Sequence, residues 1–487
     1  MDFISIEFAL FFSCVVCVCF LLPLSMRAGW MLICSLFFYS GFEPWFIGNL
    51  IGASLLAFFG AIFIEKSDNK EQKRSRFTII VSFVIFNFLI LRYFPFLTDN
   101  LQILSYSGKI EAASSAKPGV PIGLSFYTFL LIGYLFDVYR GMPAERNFGY
   151  FFLFVSFFPK IVAGPIERAN NLLVQIRKMP TFDYALAVFG LQIILLGLFK
   201  KVIVADRLAP LVESIYGNPY IADGPMLIAA TITYAFQLYF DFSGYSDIAI
   251  GCAALLGFRL IGNFRQPHFA TSISDFWKRW HISLTSWLTE YVYNPIVRQR
   301  RLKIKLYFTI LIAIFTTFLI SGIWHGAQWT FVLWGMLHGF YIIFSVLTQK
   351  WRAAIVRKVG LQDKAALHKC IKIMTTFVLV CFAYILFRSA NVTDATYIIT
   401  HLFSGWGNPI ASFNLFVGGA KLSLIIGLSG IFIIMIGEVF QERGFSVRTF
   451  FHNCPSYIRW STYAITALAI LVVGSGNDNQ TFIYFRF

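Results

Sequence analysis

Apolar residues come in long, nearly unbroken runs along this chain, parted by short polar and basic stretches. The runs lie near 5–24, 29–46, 48–64, 77–96, 121–138, 149–164, 184–203, 226–240, 246–261, 305–321, 328–348, 370–388, 421–440 and 460–476. Most approach the roughly 20 residues that an α-helix needs to cross hydrocarbon. Membrane β-strands would instead give shorter segments of strict alternation. The pattern predicts an all-α integral membrane protein with about 11–14 membrane segments, plus short interfacial or re-entrant helices. The run Phe8–Leu24 follows Asp2 and Glu7 without a basic leader, so it reads as a retained helix and not as a cleaved signal.

The polar stretches between the runs set the expected orientation. The most basic connections are Glu65–Arg76, Arg298–Lys305 (RQRRLKIK), Lys350–Lys372 and Glu442–Arg459. The positive-inside rule puts all four on the cytoplasmic face, which this succession of runs allows if both termini are extracytoplasmic. The loop Asp99–Gly119 lacks a strong basic excess and is assigned outside. Composition agrees with this picture: 58% hydrophobic against 13% charged residues excludes an ordinary soluble protein. The net charge of +16 is accounted for by the loops, so the lipid bilayer is the expected partner and nucleic acid is not. With no long hydrophilic stretch and no repeat of about 20–50 residues, residues 1–487 read as one membrane domain with a signature core over 120–340. The eight cysteines mostly sit inside apolar runs and read as small packing residues, so no metal site is expected.

Polar groups inside apolar runs are costly and stand out as functional candidates. His281 and His325, 44 positions apart, are the foremost. Ser272 with Asp275 three residues later marks a helix start, and a helix over Ser272–Leu288 would put Trp277 and His281 on one face. His281 is then either a functional imidazole or a buried hydrogen-bonding residue that packs the helix. His325 lies in SGIWHG (Ser321–Gly326), where Gly322 and Gly326 allow a backbone or a substrate to approach closely and leave room beside the ring. An imidazole, with an unperturbed pKa of about 6.5, suits general-base work near neutral pH. The other reading of His325 is a structural hydrogen bond across helices. Asp241 and Asp247 in YFDFSGYSDIAIG (Tyr239–Gly251) are about 240° apart on a helix, which rules out a paired dyad; they either orient a histidine or cap a broken helix. His338 would lie about 220° round from His325 on a continuous helix and is expected to face elsewhere. His268, His368, His401 and His452 are expected in solvated loops.

These segments resemble the membrane-bound O-acyltransferase family, in its bacterial polysaccharide branch typified by alginate O-acetylation. The resemblance covers nearly the whole chain, through PIGLSFYTF (Pro121–Phe129), FDVYRG (Phe136–Gly141), FFPKIVAGPIER (Phe157–Arg168), FDFSGYSDIAIG, FWKRWHISLTSWL, GIWHG and the closing FIYFRF (Phe482–Phe487). It implies a ring of tilted helices around a central tunnel in the bacterial cytoplasmic membrane. It also implies His325 as the principal catalytic residue and His281 as the second signature residue, lining the cytoplasmic mouth or orienting the donor. Trp324, Trp277, Asp241, Tyr245 and Asp247, which accompany the histidines, are expected to line the substrate path. The chain departs from the family pattern at Leu130 and Arg486, where glutamine is expected; both positions bear on acceptor or partner choice.

The implied reaction moves an acyl group, taken as acetyl, from acetyl-CoA or another cytosolic thioester to a hydroxyl outside, with no bound cofactor. A separate extracytoplasmic acetyltransferase is the implied partner, and a polysaccharide the final acceptor. Two alternatives stand beside this: D-alanine-type transfer from a carrier protein, and a transporter that moves substrate without covalent chemistry. The Arg298–Lys305 run fits an acidic carrier, the phosphates of coenzyme A or plain cytoplasmic anchoring.

Overall fold

Helices carry almost every apolar run, and no strand occurs among the described residues of the computed structural model, which are 3–42, 44–104, 120–298, 305–474 and 482. Most of the Asp99–Gly119 and Arg298–Lys305 loops, and Arg486, lie outside them. Eight described helices are long and apolar enough to cross a membrane: Trp45–Glu65, Lys70–Phe94, Tyr184–Tyr216, Leu306–His325, Trp329–Leu347, Ala365–Arg388, Pro409–Glu442 and Ser456–Gly474. The shorter apolar helices Ile6–Leu21 and Leu124–Tyr139 add to these. The chain is thus a multi-pass, all-α membrane protein.

Three stretches depart from the hydropathy pattern, each for a local reason. The runs 226–240 and 246–261 give one helix, Gly224–Leu255, with no break at the aspartates. Their carboxylates are held by lysines: Asp241 by Lys201 at 2.6 Å and Asp247 by Lys200 at 2.7 Å. The backbone therefore has no need to unwind to satisfy them. Within the run 149–164 only Phe148–Ser156 is α-helical, and turns follow through Pro159 and Gly164. There Gly123, at φ +74°, receives the carbonyl of Ile161 so closely that a Cβ would sit 2.3 Å from its oxygen. Two of the motifs, PIGLSFYTF and FFPKIVAGPIER, are thereby packed on each other through a glycine. The third departure, at His281, belongs to the site.

The chain divides into two compact units, Met1–Ile194 with Ile248–Ile261, and Leu195–Asp247 with Gly262–Phe487. In the first, buried and half-buried polar groups satisfy one another: Tyr127 donates to Asn49 Oδ1 at 2.6 Å, and the Asn49 amide donates to Asn87 at 2.9 Å. Glu167 likewise accepts from the Ile261 amide at 2.6 Å and from Asn171 at 2.7 Å. Such pairing is what makes buried polar groups tolerable.

The second unit is built on an aromatic core that includes Tyr234, Tyr239, Phe242, Trp277, Trp280, Trp334, Tyr384 and Phe387. Set into it is a charged cluster in which Lys201, 1% exposed, bridges Asp241 and Asp206 at 2.6 and 2.9 Å. Lys201 also stands 4.3 Å over the ring of Phe482, the one described residue of FIYFRF, and that ring meets Tyr245 edge-on at 4.9 Å. Lys200 and Lys201 open a π-helical turn, Lys200–Ala205. The wider turn changes which way successive side chains project, so that two adjacent lysines each meet a carboxylate on the same neighbouring helix.

Candidate active site

The stretch Ser272–Leu288 starts as its sequence predicts: Ser272 caps a helix by accepting from the Asp275 amide at 3.1 Å. The helix ends at Trp277, and a second one, Ile282–Leu288, begins after His281. The single helix expected from periodicity is therefore two short ones, and the shared face of Trp277 and His281 is not what relates them. His281 itself makes the turn, at φ 44° and ψ 53°. The left-handed region is sparsely used by non-glycine residues, and its cost must be met by surrounding contacts. Those contacts come from Asn263. Its backbone carbonyl accepts from the Ile282 amide at 2.9 Å, and its side-chain Oδ1 accepts from the Ser283 amide at 3.2 Å and the Ser283 hydroxyl at 2.9 Å.

The same Oδ1 lies 3.1 Å from His281 Nδ1. Because Oδ1 already receives a backbone N–H, it is the acceptor, and Nδ1 carries the proton. The neutral ring then has its lone pair on Nε2. Burial pushes the His281 pKa well below the ordinary histidine value, and the charge of nearby His325 adds in the same direction. His281 is fully buried, edge-on to Phe242 at 4.7 Å and 6.1 Å from the ring of Trp324. Nothing in composition or periodicity marks Asn263. Its role is visible only once chain folding brings it under His281.

His325 closes the helix Leu306–His325 and is 6% exposed. Its ring is enclosed by Trp324 at 4.8 Å, Trp334 at 4.9 Å and Phe387 at 5.2 Å. Trp324 thus stands between the two imidazoles in the chain of ring contacts. The glycines beside His325 are filled by protein. A Cβ on Gly322 would sit 2.4 Å from the Phe331 carbonyl oxygen, and one on Gly326 would sit 2.4 Å from the Phe331 ring. Of the two possibilities, approach by a backbone is the one realised at Gly322. The room expected beside the imidazole at Gly326 holds Phe331.

His338 is also placed differently from expectation. The helix is broken at Gly326, which is extended, and a new one runs Trp329–Leu347, so the rotation counted along a continuous helix does not apply. His338 is fully buried, accepts at Nδ1 from the Trp277 indole at 3.2 Å and lies 4.9 Å from the Trp334 ring. Trp334 therefore touches both His325 and His338. His268, expected in a solvated loop, is packed by Phe236, Tyr239 and Phe377 at 5.0, 4.8 and 5.7 Å. His452 is exposed, while His368 and His401 are partly exposed.

Of the remaining candidates, Trp277 and Trp324 are in the histidine cluster, whereas the carboxylates of Asp241 and Asp247 are taken up by lysines and Tyr245 packs on Phe482. No cluster of three or more His, Cys, Asp or Glu side chains is placed to hold a metal ion among the described residues. What the arrangement offers chemically is a neutral, tautomer-fixed imidazole and a second imidazole, both in an aromatic and water-poor enclosure. Such an enclosure strengthens hydrogen bonds to developing charge.

A family model described as MBOAT, membrane-bound O-acyltransferase family, matches residues 145–387. A protein named probable alginate O-acetylase from Pseudomonas syringae pv. tomato is 32% identical over 422 residues, covering 85% of this chain and 77% of that one. A peptidoglycan O-acetyltransferase from Helicobacter pylori is 30% identical over 400 residues, 75% of this chain and 72% of its own. A teichoic acid D-alanyltransferase from Streptococcus thermophilus is 27% identical over 282 residues, 55% of this chain and 68% of its own.

Proposed function

The chain belongs to the membrane-bound O-acyltransferase family and is an O-acyltransferase, and from that premise we propose that it moves acetyl from a cytosolic thioester, acetyl-CoA, towards hydroxyls of an extracytoplasmic polysaccharide. The transporter alternative is set aside by that membership. Acetyl is favoured over D-alanyl because the O-acetyl relatives from Pseudomonas syringae and Helicobacter pylori match 85% and 75% of the chain, and the D-alanyl relative from Streptococcus thermophilus only 55%. The protein sits in the bacterial cytoplasmic membrane with its basic connections inside and both termini outside, following the charge pattern.

The single observation that carries this function is the buried pair of imidazoles flanking Trp324. His325 acts as general base. It takes the proton of an attacking hydroxyl, the oxygen adds to the thioester carbonyl, and the tetrahedral adduct collapses to an ester as the thiolate leaves and recovers the proton. His281, held by Asn263 with its lone pair on Nε2, accepts a hydrogen bond that orients the reacting groups. The immediate acceptor is a hydroxyl of a separate extracytoplasmic acetyltransferase or carrier, which passes the acetyl group to the polymer.

The test is coenzyme A release from acetyl-CoA by purified protein in nanodiscs, wild type against His325→Ala. Wild type releases coenzyme A, and the variant loses about 10² to 10⁴ in rate, the scale of general acid–base catalysis, at unchanged folding. Equal release by the two proteins removes His325 from the mechanism, and no release by wild type removes acetyl-CoA as sufficient donor.

A further inference from the structure

The helix Trp329–Leu347 presents two ring N–H donors to the interior that meet no acceptor among the described residues. Trp334, 2% exposed, has an indole N–H with no hydrogen-bond partner there. His338, 0% exposed, has the same at Nε2. That Nε2 is a donor follows from the other side of its ring. The Trp277 indole can only donate, and it donates to Nδ1, so Nδ1 is unprotonated and the proton of the neutral imidazole is on Nε2. Residues 334 and 338 are one turn apart on the same face, with rings 4.9 Å from each other, and Trp334 is 4.9 Å from His325. Unpaired buried donors are rare and costly in folded proteins, and two adjacent ones next to a candidate base require an explanation. A hydroxyl can rotate to find a neighbouring carbonyl, but an indole or imidazole N–H is fixed by its ring.

We propose that Trp334 Nε1–H and His338 Nε2–H form a donor pair that holds carbonyl oxygens of the acyl thioester arm beside His325. The inference rests on the assignment of the Trp324–His325 region as the reaction site. The acceptor is a neutral oxygen and not a phosphate, because among the described residues no lysine or arginine stands over either ring, and the surroundings are Phe318, Trp277, Tyr341 and Phe387. The amide and thioester carbonyls of a coenzyme-A-type donor have that chemistry. The two N–H groups bind and orient substrate, whereas His325 moves the proton.

The probe is a ketone analogue of acetyl-CoA, S-acetonyl-CoA, which keeps the carbonyl and cannot transfer acetyl. Its binding is measured on the full chain in nanodiscs for wild type, Trp334→Phe and His338→Asn. Phenylalanine keeps an aromatic ring and removes the N–H. Asparagine keeps an acceptor for Trp277 at Oδ1 and removes the donor at the Nε2 position, its own amide N–H groups lying nearer the backbone. Each variant is expected to bind the analogue about tenfold more weakly, the scale of one hydrogen bond. For Trp334→Phe, which removes an unpaired donor and adds none, the thermal midpoint without ligand is expected to stay level or rise. In turnover, the loss falls on KM for acetyl-CoA more than on kcat. Unchanged affinity in both variants overturns the proposal, as does a fall in the Trp334→Phe midpoint that tracks its loss of binding. Failure of wild type to bind the analogue overturns it too. His325→Ala separates the base from the donor pair. If His325 is the base, this variant loses turnover while binding the analogue normally. Retained turnover defeats the base, and the donor pair still stands or falls on the affinities of the other two variants.

Discussion

Among single residues, the site depends on groups that fix the state of a ring and not only its position. Asn263 is the clearest case, because one oxygen serves the Ser283 amide, the Ser283 hydroxyl and His281 Nδ1. Asn263→Leu leaves these donors unsatisfied and the tautomer of His281 free. A buried donor left without a partner costs about 1–3 kcal/mol, so coenzyme A release should fall by about tenfold or more and the thermal midpoint should drop with it. Asn263→Asp supplies the oxygen but buries a charge, and turnover measured for both variants distinguishes loss of the acceptor from loss of neutrality. Part of this site is legible in the sequence, where His281 and His325 stand out as imidazoles in apolar surroundings. Asn263 and Trp334 do not, since an asparagine before a basic stretch and a tryptophan in a membrane helix are unexceptional until folding gives them neighbours.

Between elements, the two helices that carry His325 and His338 are locked by glycine. Gly322 and Gly335 meet at the crossing, where a Cβ on Gly335 would lie 2.4 Å from the Phe318 carbonyl oxygen. Gly335→Val must push the helices apart and is expected to destabilise by about 1–3 kcal/mol, the usual range for overpacking, and to abolish turnover by displacing Trp334. Gly52→Ala, at a helical position with nothing within 4 Å of an added Cβ, is the control and should leave both unchanged. A second expectation at this level concerns the π-turn lysines. Lys201→Met leaves Asp206 and Asp241 facing each other without the ammonium between them. Removing one partner of a buried ion pair typically costs about 3–5 kcal/mol, so this variant should fail to accumulate or lose its midpoint sharply, and Lys201→Met with Asp241→Asn should recover part of it. Failure of the double variant to recover would mean that Lys201 acts mainly by packing.

For the molecule as a whole, stability should respond to acid through two histidines outside the membrane helices, His281 buried and His268 half-buried among aromatic rings. Burial lowers His268 to about 4 from 6.5, and His281 is shifted the same way. The unfolded chain takes up these protons near 6.5, whereas the folded one resists until the lower values, so the unfolded state binds more protons between them. Stability is therefore full above about pH 6.5 and falls as pH drops through the window towards about 4. Unfolding followed by tryptophan fluorescence at stepped pH should show that decline, and His268→Phe should reduce its slope. A midpoint independent of pH over this range would mean that neither ring is held neutral by the fold.

Hydropathy and local capping suffice to establish a helical membrane protein, to place most of its helices and to set two histidines apart. They suffice because they operate over one or a few turns of chain. Only the folded molecule shows that Tyr239–Gly251 stays helical, that the Ser272–Leu288 helix breaks at His281, and that His338 shares Trp334 with His325. Each of those outcomes depends on a partner distant in the chain: Lys200 and Lys201 for the aspartates, Asn263 for the left-handed turn, Trp277 for the imidazole. Periodicity cannot register such partners, because a buried polar group is placed by whatever satisfies it, not by its own neighbours in sequence.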